Sequence, residues 1–533
     1  MVSKHDGDAR ATRPGAARLL GWLAAAAIAV STLIIIGISV AGPNVSVPAM
    51  HKPSVSTPGW PPWWHALHLT ATFVTVSLWA AMVLGCAGVI AGLVAVARGA
   101  RPPVRPVIAA AFLALAVVTV LPPAGSTDAI SYAANGRMAV IGHSPYVMTP
   151  LQLRHSGDPV GRQIPVSEFP STWLNTVSVY GPVATGTEWV AAELGGSSLA
   201  RITFWLKLEE ALAFGAVIVA LDRMLRADPA RRLRAHLLWS VNPLLLWEIV
   251  ASGHIDGLAA LFGLLGVAAL RLRRTPDGDR GQIGLRDAAL AGLAIGVATG
   301  IKAEYALFGL AVAWACRRAA RPLRPLAAAA AGFALVVVPV YLAAGTPAIK
   351  VLITRSPGVT WDTMYQLFWR PVLGFTQFTA TNAPPHLTLV AYLLFAAVAV
   401  LAVLRFPDPV PDLPALTPAL ALSLAWLFVT GFQRPWYDVM ALSLLALYSA
   451  SRLDWVVLIR LLAGATVYVQ AVQSPAEPHW LANLTQFDGA WLTPGVRLAA
   501  TVALVWLCLT GHWGWRPAAA AAAGRLPELL PAT

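Results

Sequence analysis

The chain has 533 residues, of which 57% are hydrophobic and only 12% are charged, and its formal net charge is +13. A soluble globular protein carries roughly 25% charged residues, so this composition excludes one water-soluble core and indicates an integral membrane protein. The charge does not indicate a nucleic-acid-binding protein, because the cations stand in short clusters between apolar runs. The cysteines Cys86, Cys316 and Cys508 fall in or at the end of apolar runs and provide no disulfide framework or CxxC metal motif.

Apolar runs long enough to cross a bilayer recur from residues 19–41 to residues 495–511. We predict an all-α, polytopic membrane protein with about fourteen spans, about thirteen being the alternative count. Arginine clusters follow every second run, the pattern typical of cytoplasmic loops, so both termini are expected in the cytoplasm. The predicted organisation is a cytoplasmic tail at 1–18, one transmembrane domain at 19–511 and a low-complexity cytoplasmic tail at 512–533.

Three sizeable segments are then predicted on the extracytoplasmic side, where function is to be sought: residues 124–198, 345–386 and 473–494. The first of them opens with signals for a short amphipathic helix at the membrane surface. Pro122 and Pro123 end the preceding span, Ser126 or Thr127 can cap the new helix, and Gly142 stops it.

One face of this helix is predicted to be polar and to carry Asp128, Tyr132 and Asn135. Asp128 has two readings. It can be a first-turn acid that only complements the helix dipole, or a general base that takes a proton from an attacking hydroxyl. In the second case the helix dipole would keep it ionised and make it a weaker base.

Further along the same segment, Val179-Tyr-Gly-Pro182 lies between Trp173 and Trp189. Aromatic residues at this depth can anchor helices at the interface, or they can face a sugar.

Several charged residues interrupt or flank the apolar runs near the outer side, and a charge in a span is a functional hypothesis by default. Lys207 and Lys302 are notable because only 5 of the 38 cations are lysine. They can pair with the neighbouring acids Glu209, Glu210 and Glu304, or they can bind an anion such as a lipid phosphate. Arg434 could add bidentate contacts to that phosphate.

Two pairs of residues containing histidine could form shared sites. His254 and Asp256 stand two residues apart, which on a helix points them away from each other, so they need not share a ligand. His65 and His68 have a spacing that could share a metal, but no carboxylate lies near them in the sequence. We therefore expect no metal site and no cofactor.

The motifs, taken in order, resemble the lipid-linked-sugar-dependent glycosyltransferases of the GT-C fold. Among these, the chain most resembles the actinobacterial polyprenol-phosphomannose-dependent alpha-1,6-mannosyltransferases over about residues 60–510. The motifs are Asp128-x-x-Ser-Tyr132, Gly142-x-x-Pro-Tyr146, Tyr180-Gly-Pro182, Asn242-Pro-Leu244 with Gly253-His-Ile-Asp256, Gly300-x-Lys302, and Arg434-Pro-Trp-Tyr437. Asp438 follows the last motif, where the family favours an apolar residue.

The resemblance implies a GT-C-like enzyme in the bacterial plasma membrane, with an extracytoplasmic active site and a polyprenyl-phosphate sugar as donor. It implies transfer of a hexose, expected to be mannose, with inversion to a glycan or lipoglycan acceptor of the alpha-1,6-mannan type. Asp128 would be the base, and Lys302, Arg434 and Lys207 would bind the donor phosphate. The sugar and acceptor would contact Tyr132, Tyr146, Tyr180, His254, Asp256, Trp436 and Tyr437.

Two alternatives remain open on the residues alone. A related transferase could move arabinose, glucose or galactose, since few contacts separate sugars that differ by one hydroxyl. A transporter or flippase for lipid-linked sugars would also bury charges, but it predicts them near the bilayer midplane. The oligomeric state is not predicted.

Overall fold

The computed structural model describes residues 14–49, 69–165, 171–273, 281–355, 359–360, 362–368, 385–470 and 478–514. These residues are mostly helical, as the composition predicts. The helices of the first half are α1 (Pro14–Val40), α2 (Ala71–Ala97), α3 (Val104–Val120), α4 (Asp128–Val140), α5 (Pro150–His155), α6 (Ser171–Leu174), α7 (Pro182–Gly195), α8 (Leu199–Met224), α9 (Pro229–Ala235), α10 (Pro243–Leu245) and α11 (Asp256–Ala269).

The second half begins with a short antiparallel hairpin of β1 (Leu272–Arg273) and β2 (Gln282–Ile283), in which Leu272 pairs with Ile283. The helices that follow are α12 (Leu285–Ile301), α13 (Ala306–Cys316), α14 (Leu323–Arg355), α15 (Pro385–Arg405), α16 (Leu416–Val429), α17 (Val439–Leu445), α18 (Arg452–Val467), α19 (His479–Phe487) and α20 (Thr493–Thr510).

Five stretches of the described residues are long and apolar enough to cross a membrane: Gly15–Val40, Ala71–Ala97, Leu323–Thr354, Leu387–Arg405 and His479–Thr510. The bent pair Pro229–Ala251 and Asp256–Ala269 makes six if it counts as one span. The prediction of about fourteen spans is therefore not confirmed. Several predicted spans form shorter apolar helices, such as Val104–Val120 with 17 residues and Leu416–Val429 with 14.

The predicted helix after Pro123 is confirmed as α4, and Gly142 with a φ of 80° lies just beyond its end. Its surroundings differ from the expectation of an interfacial helix, because residues on both faces are buried. Ile130 and Met138 on the apolar face, and Tyr132 on the polar face, are all fully shielded. The reason is that α4 packs between α7 and α8.

The segment between α9 and α11 turns back on itself through two π-helical turns and a bend of 116°. Asn242 begins α10 by accepting a hydrogen bond from the amide of Leu244, and Pro243 occupies the first turn, where it needs no hydrogen-bond partner. Gly253 lies at the bend with a φ of 71°, a conformation that a side chain would strain. This bend carries His254 into the protein interior.

Buried ion pairs connect the helices of the second half to each other and to the first half. Arg234 at the end of α9 binds Asp454 of α18 at 2.5 Å. Arg497 of α20 binds Asp362 at 2.8 Å, and Arg460 of α18 binds Asp438. Asp438, which departs from the family motif, is thus neutralised by a cation inside the bundle. Breaking one partner of such a pair leaves an uncompensated buried charge, which is strongly destabilising.

The division into tails and a single domain at 19–511 stays a prediction. Residues 1–13 and 515–533 lie outside the described residues, as do His65, His68 and parts of the two later outer segments.

Candidate active site

Asp128 stands at the first position of α4, where the sequence places it. Its backbone amide donates a hydrogen bond to Ser126 Oγ at 3.1 Å, so the capping serine anticipated from the sequence does meet the helix start. Burial raises the pKa of the Asp128 carboxyl, and the opposing effects of Arg434, Lys302 and two hydroxyl groups do not cancel the rise. The carboxyl is therefore a stronger base than the helix dipole alone would make it.

Two tyrosines connect Asp128 to the second signature of the loop. Tyr132 Oη lies 3.5 Å from Asp128 Oδ2 and 3.0 Å from Tyr180 Oη, and the two rings meet edge to face with centroids 5.0 Å apart. Burial raises the pKa of both phenols well above the usual value, so both stay protonated hydroxyl groups. They can donate or accept hydrogen bonds beside the base.

The Tyr180 loop is held against the end of α12. The amide of Gly181 donates to the carbonyl of Ile301 at 3.0 Å, and a Cβ on Gly181 would come within 2.1 Å of the Gly300 carbonyl oxygen. Only glycine permits this approach, which places Tyr180 and Lys302 in the same site. The nitrogen of Lys302 lies 5.9 Å from the Tyr180 ring centroid.

His254 approaches Asp128 from the bend between α9 and α11. Its Nε2 lies 3.6 Å from Asp128 Oδ2, while its Nδ1 bonds to the backbone carbonyl of Glu248. The imidazole is stacked on Trp436, with centroids 3.8 Å apart and planes at 18°, and it is fully buried. His254 and Asp256 point to different partners, as their spacing predicts.

Lys302 is the centre of a charged cluster at the turn between α12 and α13. Its Nζ lies 2.7 Å from Asp256 Oδ1, 3.3 Å from Glu304 Oε1 and 3.6 Å from the ring centroid of Tyr437. Internal pairing with Glu304 is therefore present, and Asp256 adds a stronger partner from 46 residues away.

Arg434 precedes the 3-10 turn that carries Trp436 and Tyr437, and its backbone is extended. Its guanidinium lies over the rings of Phe432 and Tyr468, at 4.8 and 5.1 Å from their centroids. No carboxylate of the described residues lies within ion-pair distance of it. Arg434 thus differs from Lys302 in having its charge free for a ligand.

A small open pocket lies directly beside Asp128. It is lined by Asp128, Tyr132 and Tyr180 and by four residues whose part in it sequence reasoning left open or missed: Ser131, Asn135, Trp173 and Ser178. Trp173, for which the sequence leaves two roles open, thus lies in the wall of this pocket. Nothing in the pattern of the sequence singles out Ser178, whose buried hydroxyl has no hydrogen-bond partner among the described residues.

A sequence model of the alpha-(1->6)-mannopyranosyltransferase N-terminal domain matches residues 18–318, more than half of the 533 residues. The chain belongs to this mannosyltransferase family. A protein of Mycolicibacterium smegmatis named a probable alpha-(1->6)-mannopyranosyltransferase is 28% identical over 149 residues. That match covers 27% of this chain and 25% of the relative, so it spans about a quarter of the length of either protein.

The region matched by the mannosyltransferase family contains Asp128 and most of its neighbours, namely Tyr132, Tyr180, His254 and Lys302. Arg434, Trp436 and Tyr437 lie beyond residue 318 and are brought to the same place by the fold. The family motif therefore supplies one wall of the site, and the second half of the chain supplies the other.

Two predicted site residues lie elsewhere in this family member. The ammonium of Lys207 donates to the carbonyls of Val118, Leu121 and Pro122 at 2.8, 2.6 and 3.2 Å, and it forms no ion pair with Glu209 or Glu210. Its three donors are thus used to cap the end of α3, and we remove it from the phosphate-binding set.

Tyr146 is the second residue that the structure does not bring to the base. It packs in a separate small apolar cluster with Ala348 and Val351, and its hydroxyl bonds to Thr185 at 2.8 Å. We therefore do not expect Tyr146 to contact the sugar directly.

Proposed function

We propose that this family member transfers mannose from a polyprenyl-phosphate-linked donor to a hydroxyl of an extracytoplasmic glycan or lipoglycan, of the alpha-1,6-mannan type, with inversion at the anomeric carbon. The observation that carries the proposal is the position of Asp128. A partly buried carboxyl with a raised pKa lies at a pocket beside two tyrosine hydroxyls, and two cations act on it from other elements.

In the proposed reaction Asp128 accepts the proton of the attacking acceptor hydroxyl. The oxygen forms a bond with the anomeric carbon while the bond from that carbon to the phosphate oxygen breaks on the opposite face of the sugar. Tyr132 and Tyr180 provide the hydrogen bonds that orient the reacting hydroxyl next to Asp128. Attack opposite to the leaving phosphate gives inversion.

The leaving phosphate requires positive charge, which Arg434 and Lys302 are proposed to supply. Lys302 is already balanced by Asp256 and Glu304, whereas Arg434 has no carboxylate within ion-pair distance among the described residues. We therefore assign the direct, bidentate phosphate contact to Arg434. Lys302 is held by Asp256, Glu304 and Tyr437, and its positive charge stabilises the leaving phosphate from a distance. Trp436 and Tyr437 line the path of the sugar and lipid.

The proposed reaction needs no cofactor, because the lipid phosphate is a leaving group that the donor itself carries. The described residues bring together no group of three or more histidine, cysteine, aspartate or glutamate side chains that could hold a metal ion. The partners are the lipid-linked donor, the glycan acceptor and the surrounding membrane lipid. We place the site on the outer face of the plasma membrane, because the positive-inside pattern puts the α4–α7 segment there.

The test is transfer by purified protein with polyprenyl-phosphate mannose and a short alpha-1,6-mannoside, with analysis of the new linkage. Formation of an alpha-linked product supports the proposal. Transfer only from a polyprenyl-phosphate arabinose, glucose or galactose would retain the reaction and replace the sugar. Absence of transfer with every such donor, together with donor translocation in vesicles, would replace the enzyme by a flippase.

A further inference from the structure

His254 has one ring nitrogen without a hydrogen-bond partner among the described residues, and that nitrogen faces the proposed base. Nε2 is buried and lies 3.6 Å from Asp128 Oδ2, just beyond hydrogen-bond distance. Catalytic hydrogen bonds are often long in the absence of substrate and shorten when the substrate binds. The fold therefore brings two residues that are 126 positions apart in the sequence into contact in the protein interior.

The other nitrogen fixes which atom can accept a proton. Nδ1 faces the backbone carbonyl of Glu248, which can only accept, so Nδ1 must carry a hydrogen. In the neutral ring Nε2 is then a lone-pair acceptor that faces a carboxylate oxygen. These two acceptor atoms cannot form a hydrogen bond with each other, but one proton placed between them makes a hydrogen bond.

Burial and the cations Lys302 and Arg434 keep the resting imidazole neutral, whereas its stacking partner favours a transient positive charge. Trp436 stacks on the ring at 3.8 Å, and a stacked indole stabilises an imidazolium through its π face. Five charged or titratable groups surround the ring. They are Asp128 on α4, Asp256 at the start of α11, Lys302 between α12 and α13, Arg434 before α17, and Glu248 on the segment that carries His254 itself. Burial and the two cations prevent the imidazole from holding a proton permanently, whereas the backbone carbonyl of Glu248 favours the protonated ring.

We propose that His254 is a positioning residue that acts through Asp128, by receiving on Nε2 the proton that Asp128 takes from the acceptor. The acceptor O–H bond breaks and the Asp128 O–H bond forms as the glycosidic bond is made. The Asp128 O–H bond then breaks and the His254 Nε2–H bond forms, which restores the carboxylate. The electron pair of the broken anomeric bond leaves with the phosphate, and the imidazolium releases its proton to water after the products depart.

This inference rests on the proposed transfer reaction, and its test separates the two. The variant is His254→Gln, whose amide can donate to the Asp128 carboxylate but cannot take up a proton. The matched control is His236→Gln, which alters another fully buried histidine that lies 3.0 Å from an aspartate, Asp222, far from the site in this fold. The readout is the pH dependence of kcat/KM, with donor KM and melting temperature measured beside it.

In the wild-type pH profile, kcat/KM falls in acid because the Asp128–His254 pair cannot accept the acceptor's proton once it already holds one. The pH of this fall therefore measures the apparent pKa of the pair. With glutamine the carboxylate gains a hydrogen-bond donor and loses a proton acceptor. Its acid limb should move to lower pH by about one unit, and kcat at the plateau should fall on the order of 10²-fold. Donor KM should stay within about twofold, because His254 does not contact the phosphate in this account.

A lowered rate with an unchanged acid limb in His254→Gln, or an equal shift in His236→Gln, would overturn the inference and leave the transfer reaction standing. An inactive wild type with polyprenyl-phosphate mannose would instead overturn the proposed function. If His254→Gln does not fold, His254→Asn, whose amide also cannot take up a proton, replaces it in the same pH profile. An acid limb moved to lower pH in that variant supports the relay, and an unchanged acid limb contradicts it.

Discussion

At the scale of single residues, Asp128 shows how far the surroundings set the chemistry. The sequence identifies an acid at a helix start, where the dipole is expected to favour the ionised form. The structure buries that acid against Tyr132 and His254, and burial raises its pKa despite the nearby cations. No pattern within the loop could reveal this, because His254 and the cations that act on Asp128 come from other parts of the chain.

The raised pKa predicts a particular pH dependence. Asp128 must be ionised to accept a proton, so kcat/KM should be low in acid, rise as the carboxyl loses its proton and level off above its pKa. Because that pKa is raised, the rise should occur above the ordinary value of 3.8 for aspartate. A pH–rate profile of the purified protein checks this. A midpoint near pH 4, with full activity above it, would show that the base is not a buried aspartate.

Arg434 is predicted to bind the donor phosphate. Arg434→Ala should raise the KM for the donor by roughly 10- to 100-fold, because charge-assisted hydrogen bonds are worth about 1.5–3 kcal/mol. The donor KM of Arg434→Lys should lie between those of wild type and Arg434→Ala, because lysine keeps the positive charge but cannot form the bidentate contact. Initial rates over a series of donor concentrations make the comparison. A donor KM that stays constant across the three proteins would remove Arg434 from the phosphate site.

At the scale of secondary-structure elements, Lys207 shows what a sequence cannot tell about a buried charge. A lysine in the outer half of a predicted span can bind a lipid phosphate or pair with another group of the protein. The partners turn out to be the backbone carbonyls at the end of α3, about 85 residues away in the chain. No spacing rule for side chains could have found them, because the acceptors belong to the main chain.

This assignment predicts that Lys207→Met destabilises the protein without affecting donor binding. Loss of the ammonium removes a hydrogen bond from three carbonyls, of which Val118 keeps one from the Leu121 amide. The cost is about 1–3 kcal/mol for each of the other two that finds no new partner. The melting temperature should fall, and the donor KM of the remaining folded protein should be that of wild type. A raised donor KM at an unchanged melting temperature would return Lys207 to the phosphate site.

The close approach of the Tyr180 loop to α12 can be tested with two glycines of neighbouring sequence. Gly181→Ala would force the new Cβ against the Gly300 carbonyl, so the loop must move away from Lys302 and both stability and turnover should fall. Gly186→Ala lies in α7 with nothing within 4 Å of the new Cβ, and alanine favours the helix there. That control should retain wild-type activity. Equal behaviour of the two variants would show that the approach does not position the site.

At the scale of the whole molecule, the site exists because broken helices from both halves of the chain meet at one end of the bundle. The bend of 116° before α11 carries His254, the turn between α12 and α13 carries Lys302, and the turn before α17 carries Arg434. Buried ion pairs such as Arg234–Asp454 connect these halves across 220 residues. The ordered motifs in the sequence mark these breaks, and the fold brings His254, Lys302 and Tyr180 close to Asp128 or to one another.

The membrane class and the helical fold follow from composition and apolar runs, whereas the number of spans does not. An apolar run of about 17 residues can be a short helix inside the bundle or a complete span, and hydropathy alone does not separate the two. Val104–Val120 and Leu285–Ile301 illustrate the problem, with 17 residues each. Arg460 could have been recognised as a charge within a predicted span, but its partner Asp438 follows only from the fold.

The central claim, that Asp128 activates the acceptor for a lipid-linked donor, is tested most directly by comparing three purified proteins with polyprenyl-phosphate mannose and an alpha-1,6-mannoside. These are wild type, Asp128→Asn and Glu193→Gln, the last removing an exposed acid of α7 in the same segment. We predict that Asp128→Asn loses roughly 10³-fold or more in turnover while binding donor normally, because the amide cannot accept the proton. Glu193→Gln should match wild type. Transfer by Asp128→Asn at the wild-type rate would contradict the account.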